Sequence, residues 1–593
     1  MRARAVTRDP GPAFPRRSPP AARPIVFRPK RQPSAAPPAG GSPPGTRSAA
    51  PRASRPTYRV GDGLPPARRA GPSPARGLAG ASLVVMTAFV ASRGLGLLRT
   101  SALAYRFDNG PDASAFVAAF RIPDLLFALV VGGALNSAFI PVFAGLLQGR
   151  KDEEAWRLAS TVLNTVVLAL AVLGGLAALA APSLAPLLAP GFDAPTRRLV
   201  GELSRVLFLQ PLFFGVGAVA FAILNARQHF LLPAWAPAVY NLFQLVALWL
   251  LVPRFGIMGL AVGVVAGAVA YAAMQLPTLR RYGFSYRPLL AWGDGGFRRV
   301  LHLLLPRTLS LASNQIGHTI ATTVLASSIV GGVTALNYAY TLLLLPIGIL
   351  GVSVSTVAFP AMSSMAGAGQ LAQFSATLRS AFRALLYFGI GASALLLALR
   401  RPVVALLYQH GRFSAADAAL VSWPLAFYAV GLFAHVADEL LPRAFFALQD
   451  TRTPLIINLV AVAANVLLSL VLLRWLGLGG IALALTLAAL FEMAIYLRLL
   501  ERRTPGFMDA SLRRHILLLL AAGALTWLAA TIASGRIAGQ AGTTSIGHDL
   551  AQLLAGGVAG AVVYLISAAA AGAKEHERVF TLVRGLTRRV TDC

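Results

Sequence analysis

The sequence predicts an all-α polytopic membrane protein: fourteen transmembrane helices, two six-helix pseudo-repeats around a central cavity, and two extra C-terminal helices. Three observations predict it. Of the 593 residues, 56% are hydrophobic and only 13% are charged, a balance that soluble domains do not have. The apolar residues fall in runs of about 20, the length that crosses a hydrocarbon core of about 30 Å, and the ~10-residue alternation of a membrane barrel is absent. Finally, short motifs recur at a nearly constant distance along the chain.

In chain order the spans are expected near 80–104, 114–148, 156–184, 198–225, 233–252, 256–279, 300–329, 333–362, 376–399, 417–448, 454–474, 478–500, 513–533 and 547–571. Pro123, Pro346 and Pro442 fall within the second, eighth and tenth, which are therefore expected to bend. Residues 1–76 are rich in Pro, Arg, Ala, Ser and Gly without a periodic apolar run, and read as a disordered basic tail. No short apolar region with a cleavage site is evident, so the first span is expected to be a retained helix. The formal net charge of +31 is not a nucleic-acid signature, because about half of the excess lies in this tail and most of the rest at helix ends. Arg and Lys cluster in the loops after spans two, four, six, ten and twelve (Arg150, Lys151, Arg227, Arg280, Arg281, Arg287, Arg452, Arg502 and Arg503), which places both termini in the cytoplasm. Cys593 is the single cysteine, so there is no internal disulfide and no cysteine-based metal cluster.

The repeat is visible by self-comparison. "NARQHFLLPAWAP" near 225–237 resembles "FALQDTRTPLIIN" near 446–458, pairing Ala226 with Ala447, Gln228 with Gln449 and Pro233 with Pro454 at an offset of 221. At that offset Gly256 meets Gly477, Gly259 meets Gly480 and Arg281 meets Arg502. Gly191 of "APGF" and Gly411 of "QHGRF" are 220 apart; Gly132 and Pro141 pair with Gly351 and Pro360 at 219. Six spans separate equivalent elements, an even number, so both copies enter the membrane in the same sense and enclose a path between them. The domains are then a tail over 1–76, a first lobe over 77–290, a second over 291–503, helices thirteen and fourteen over 504–572, and a tail over 573–593.

No phosphate-loop, zinc-protease or serine-hydrolase signature is present, and nothing calls for a cofactor or a metal. The chemistry lies instead in charges within spans. Arg93 sits about halfway along the first, where a charge costs at least ~2.5–3.5 kcal/mol, so it is expected to face a cavity or a partner. Arg99 is roughly 9 Å farther along the axis and diverges from it by about 120°, so spacing alone does not make the two a pincer. With Arg121 of "FRIPDLL" they supply planar, permanent cations suited to phosphate or pyrophosphate; the alternative for Arg99 is snorkelling to the interface. His318 reads as a proton relay or, preferably, a hydrogen-bonded structural residue. Asp438 and Glu439 bind a cation or, preferably, pair with Arg443. Asp112 and Asn136 complete the polar residues assigned to the cavity.

At these residues the chain resembles the MurJ (MviN) family of lipid II flippases, within the multidrug, oligosaccharidyl-lipid and polysaccharide exporter group. The resemblance is carried by "SRGLGLLR", "AFVAAFRIPDLL", "GGALNSAFIPVF", "APGF", "LNARQHFLLPAWAPAVYN", "YQHGRFSAADAAL" and "FFALQDTRTP". It implies a multi-pass protein of the bacterial cell membrane that flips undecaprenyl-pyrophosphate disaccharide peptide, lipid II, to the outer leaflet by alternating access. It also implies a groove for the lipid tail on helices thirteen and fourteen, and cell-wall synthesis enzymes as partners. Where the family pattern has charges, this chain has Ser114, Phe127, Gly132 and Thr341, so its cavity is less charged than the pattern. Two other readings stand beside it: export of another polyprenyl-linked glycan or of a small cation, and a non-transporting scaffold for cell-wall assembly.

Overall fold

The computed structural model describes residues 74–132, 134–504, 506–539 and 546–573. The two tails expected at the termini therefore lie outside the described residues, except for positions 74–76 and 573. Among the described residues all regular structure is helical. The first pass is α1 (Pro74–Phe107), and the second is α2 (Pro111–Ala119), α3 (Arg121–Val130) and α4 (Ala134–Gln148). α5 (Asp152–Leu188), α6 (Ala194–Leu207) with α7 (Leu209–Ala226), α8 (Leu231–Leu250), and α9 (Val252–Ala273) with the short α10 (Leu276–Arg281) complete the first half. The second half begins with α11 (Gly295–Thr319), which continues as a π-helical turn over Ile320–Leu325. Then come α12 (Gly332–Pro346), a second π-helical turn over Ile347–Val352, α13 (Ser353–Gly367), α14 (Leu371–Tyr408), α15 (Ala415–Ala437) with α16 (Leu441–Ala447), α17 (Arg452–Leu476) and α18 (Leu478–Arg503). α19 (Ala510–Ala538) and α20 (Ile546–Ala570) follow. Twelve of these passes are long and apolar enough to cross a membrane; α1 and α11, the helices that open the two halves, are the remaining members of the expected fourteen.

Local chemistry sets the boundaries. Asp193 and Asp509 cap α6 and α19 by accepting from Thr196 N (3.3 Å) and Leu512 N (2.7 Å), and Ser414 with Asp417 forms a capping box at α15. The expected bends are real interruptions. Pro123, which has no N–H, lies in the first turn of α3; Pro346 ends α12 at a π-helical turn; Pro442 opens α16 after the break at 438–440.

Packing repeats along the chain. α1 packs on α8, α8 on α9 and α7 on α9; in the second half α11 packs on α17, α17 on α18 and α15 on α18. Backbone conformation repeats too: Gln228 and Gln449 both have φ of 61°, and Gly256 and Gly477 have φ of 56° and 57°. The halves meet where repeat-related residues face each other. Ser114 and Thr334, 220 residues apart, share a 2.8 Å hydrogen bond. Arg412 N donates to Tyr105 O (3.0 Å), while Gly191 N donates to Ser327 Oγ (3.0 Å), so the end of each opening helix docks on the glycine loop of the opposite half. α19 and α20 pack on each other and on α14, with Gly556 and Gly560 letting α20 approach Leu399, Leu395 and Ala530.

Candidate functional site

α1 presents its polar residues to a cavity of about 590 Å³ whose walls are α1, α7, α8 and α12. Two features of the sequence make this approach feasible. Gly96 leaves room for Asn241 of α8, whose Nδ2 donates to Ser92 O (3.2 Å) and to Pro237 O (3.1 Å), bolting the two helices together. Gly348, in the π-helical turn after α12, leaves space opposite the Arg93 guanidinium: a methyl there would lie 3.8 Å from Arg93 Nη2.

Arg93 and Arg99 both line this cavity despite their divergence around the helix. Arg93 lies exposed along the wall with its guanidinium carbon 5.2 Å from the centre of the Phe89 ring, a cation–π contact one turn away on the same helix. Arg99 reaches across to α8, where its Nη1 donates to Gln244 Oε1 at 3.2 Å. Near the end of the same helix, the Arg106 guanidinium stacks 4.8 Å from the Trp249 ring of α8.

A second cavity of about 310 Å³ adjoins the first, with Arg99 and Thr100 in the walls of both. Its polar lining comes from several elements: Arg121 and Asp124 of α3, Gln210 of α7, Tyr240 and Gln244 of α8, and Asn337 of α12. Arg121 is only 7% exposed. Its Nε donates to Thr323 Oγ1 (2.7 Å) and its Nη2 to Thr322 Oγ1 (3.3 Å), so a buried cation of the first half is held by the π-helical turn of the second. His318 lies just before that turn with its ring 4.7 Å from the ring of Tyr340, which in turn is 6.0 Å from Tyr428.

The remaining sequence candidates lie elsewhere. Asp112 is exposed in the first turn of α2, outside both cavities, where a carboxylate complements the helix dipole. The side chain of Asn136 is outside the described residues. Glu439 forms the expected pair with Arg443, Oε2 to Nη2 at 3.3 Å, and Arg443 also donates to Ser355 and Thr356. Asp438 does not share that pairing: it ends α15 with Oδ1 buried and unbonded, close to Glu492 of α18.

The four departures from the family pattern have structural counterparts. Ser114 makes the hydroxyl pair with Thr334; Phe127 packs on Phe214 with ring centres 5.7 Å apart; Gly132 lets α11 approach, since a methyl there would be 3.0 Å from Leu311 Cδ1; Thr341 lines the first cavity and donates back to Asn337 O (2.8 Å). The positions that sequence reasoning passed over are Asp124, Gln210, Tyr240, Asn241 and Gln244. A signal for two of them was present: Asn241 and Gln244 are polar and three apart within an apolar run, the spacing that puts both on one helix face.

The model of a family described as lipid II flippase MurJ matches residues 103–546. A relative from Vibrio cholerae, named probable lipid II flippase MurJ, is 29% identical over 428 residues, covering 70% of this chain and 81% of its own length. A relative of the same name from Rhizobium tropici is 30% identical over 451 residues, 75% of this chain and 84% of its own. Among solved structures, a lipid II flippase MurJ in an inward closed conformation superposes with a TM-score of 0.69 at 24% identity, covering 82% of this chain and 98% of that one, which shows the shared fold.

Proposed function

This chain belongs to the lipid II flippase MurJ family, and from that premise we propose that Arg93 and Arg99, assisted by Arg121, receive the pyrophosphate of lipid II as the molecule passes from the inner to the outer leaflet. The observation that carries this reading is the convergence of Arg93 and Arg99 on one cavity between the halves. A guanidinium offers several N–H donors in a fixed plane that matches phosphate oxygens, and it stays charged at any physiological pH. In a water-poor chamber such charge-assisted bonds are stronger than in solution.

The lobes, 77–290 and 291–503, rock against each other about the contacts at Tyr105–Arg412 and Gly191–Ser327. α19 and α20, outside the repeat and docked on α14, offer the lipid tail a hydrocarbon-facing path while the head crosses between the lobes. Both termini face the cytoplasm by the distribution of Arg and Lys. An inside-negative potential then favours outward movement of the anionic head by about 2.3 kcal/mol per charge per 100 mV. Enzymes that polymerise the exported disaccharide peptide outside are the expected partners.

The test is rescue of a bacterium depleted of its own lipid II flippase, with lipid II measured in the outer leaflet. The chain restores outer-leaflet lipid II and growth, and Arg93→Ala and Arg99→Ala do not. Rescue by both variants at wild-type level would sink the assignment of the arginines.

A further inference from the structure

The second cavity contains a carboxylate that the transport reading does not use. Asp124 lies three residues after Arg121 on α3 and shares the cavity wall with Arg121 and Arg99, within electrostatic reach of both. Neither arginine is tied to it. Arg99 donates to Gln244 and Arg121 to Thr322 and Thr323, and among the described residues the Asp124 side chain forms no ion pair and no hydrogen bond. An acid held beside two cations, but not locked to either, neutralises part of their charge while leaving their N–H groups free to be taken by another anion.

We propose that Asp124 is the internal counter-ion of the arginine site: it offsets Arg99 and Arg121 while the cavity is empty, yields to the diphosphate of the substrate on loading, and expels that diphosphate on release. The proposal rests on the reading of the arginines as the anion-binding groups. Its physical basis is the cost of leaving two neighbouring guanidinium groups uncompensated in a chamber of low dielectric. Binding an anion there places it next to Asp124, and that repulsion limits how tightly it is held. A transporter needs such a limit, since a site must bind well enough to fill and weakly enough to empty. Asp124 is thus a positioning and affinity-setting residue that acts through Arg99 and Arg121.

The experiment compares the full chain with Asp124→Asn, Asp124→Glu and Arg99→Ala in detergent, using undecaprenyl pyrophosphate and the uncharged undecaprenol as probes. A charge 4–6 Å away changes the balance between charged and neutral forms by about ten- to thousandfold, so Asp124→Asn is expected to bind undecaprenyl pyrophosphate at least about tenfold more tightly. Undecaprenol binding stays unchanged, and lipid II flipping in vesicles slows because release slows. Asp124→Glu keeps the charge and stays near wild type; Asp124→Ser replaces the Asn variant if that one fails to fold. Unchanged or weaker diphosphate binding by Asp124→Asn overturns the proposal, and so does an equal change for undecaprenol, which would mean altered packing. If Arg99→Ala binds the diphosphate like wild type, the arginine reading fails and takes this proposal with it. Weakening by Arg99→Ala with no gain from Asp124→Asn removes Asp124 alone.

Discussion

The turn from the fourth to the fifth pass and the turn from the tenth to the eleventh share a backbone and differ in chemistry. Gln228 and Gln449 occupy the same left-handed conformation at φ of 61°. One residue on, His229 of the first half sets its ring 5.9 Å from that of Tyr282, with Nδ1 and the hydroxyl 3.5 Å apart. At the equivalent places of the second half, Asp450 forms an ion pair with Arg503 at 2.5 Å and accepts from Thr453 N and Oγ1. A dihedral angle that few residues tolerate is retained in both copies, whereas the pair that clasps the turn is exchanged freely between an aromatic contact and an ion pair. The cavity follows the same division. Arg93 of α1 corresponds at the 221-residue offset to Asn314 of α11, which pairs with Asn458 at 3.0 Å, so the first half carries the cation and the second a neutral amide at the same place in the repeat.

The largest effect that sharpens this contrast is on transport. Replacing Arg93 and Arg99 together by Ala removes two charge-assisted contacts of about 1.5–3 kcal/mol each and lowers lipid II flipping by at least about a hundredfold. Asn314→Ala, at the position related to Arg93, leaves it within a few-fold of wild type. Equal losses in a vesicle flipping assay would dissolve the contrast.

The next effect concerns the reciprocal docking of the halves. A methyl added at Gly411 would lie 2.6 Å from Tyr105 O, and one at Gly191 would collide with Ser327 O. Gly191→Ala should destabilise the contact by about 1–3 kcal/mol, and Gly411→Ala by a further ~1–2 kcal/mol, because Gly411 also has a φ of 63°. The readout is reactivity of a cysteine placed at Asn109, which should rise in both variants and more in Gly411→Ala; a rise in only one would break the symmetry of the contact. Smaller again is Gly256→Ala against Gly477→Ala. Both positions lack close neighbours and differ from ordinary residues chiefly in their positive φ, so each should cost a similar ~1–2 kcal/mol in a thermal melt.

The smallest effect distinguishes the two clasps by pH. Partial burial pushes the Asp450 carboxyl up, but the Thr453 side-chain and backbone hydrogen bonds and Arg503 outweigh it and hold the group at about 2, below its ordinary 3.8. A carboxyl lowered in the folded state stabilises the fold above 3.8 and loses that contribution as pH falls toward 2. The pair is 19% and 39% exposed, so Asp450→Asn should cost about 0.5–1 kcal/mol at neutral pH and converge with wild type near pH 2. His229→Phe should leave that acid dependence intact, as followed by melting temperature across pH.

Much of this was legible in the chain. The boundaries of the passes follow from apolar runs and proline positions, and the repeat is visible from Ala226 and Ala447, Gly256 and Gly477 in the sequence itself. The Glu439–Arg443 pair was legible because four residues make one helical turn. The crowding of Asp438 by a second carboxylate was not, since Glu492 lies on another helix and no local spacing points to it. Asp112 carried a charge inside an expected polar region, yet α2 starts beside it and leaves it exposed on the first turn.

What the sequence determined by itself, then, is everything governed by neighbours along the chain: which segments are helical, where they bend, that the halves repeat, and that Arg93 and Arg99 are costly where they lie. The tertiary structure alone decided that both arginines reach one cavity in spite of their rotation about α1, that Arg121 is held by Thr322 and Thr323 of the opposite half, and that Asp124 shares a cavity wall with cations from two helices. The physical reason is that helical periodicity sets the direction of a side chain from its own axis, while the axes themselves are placed by the packing of distant apolar faces and by the glycines that let them close in.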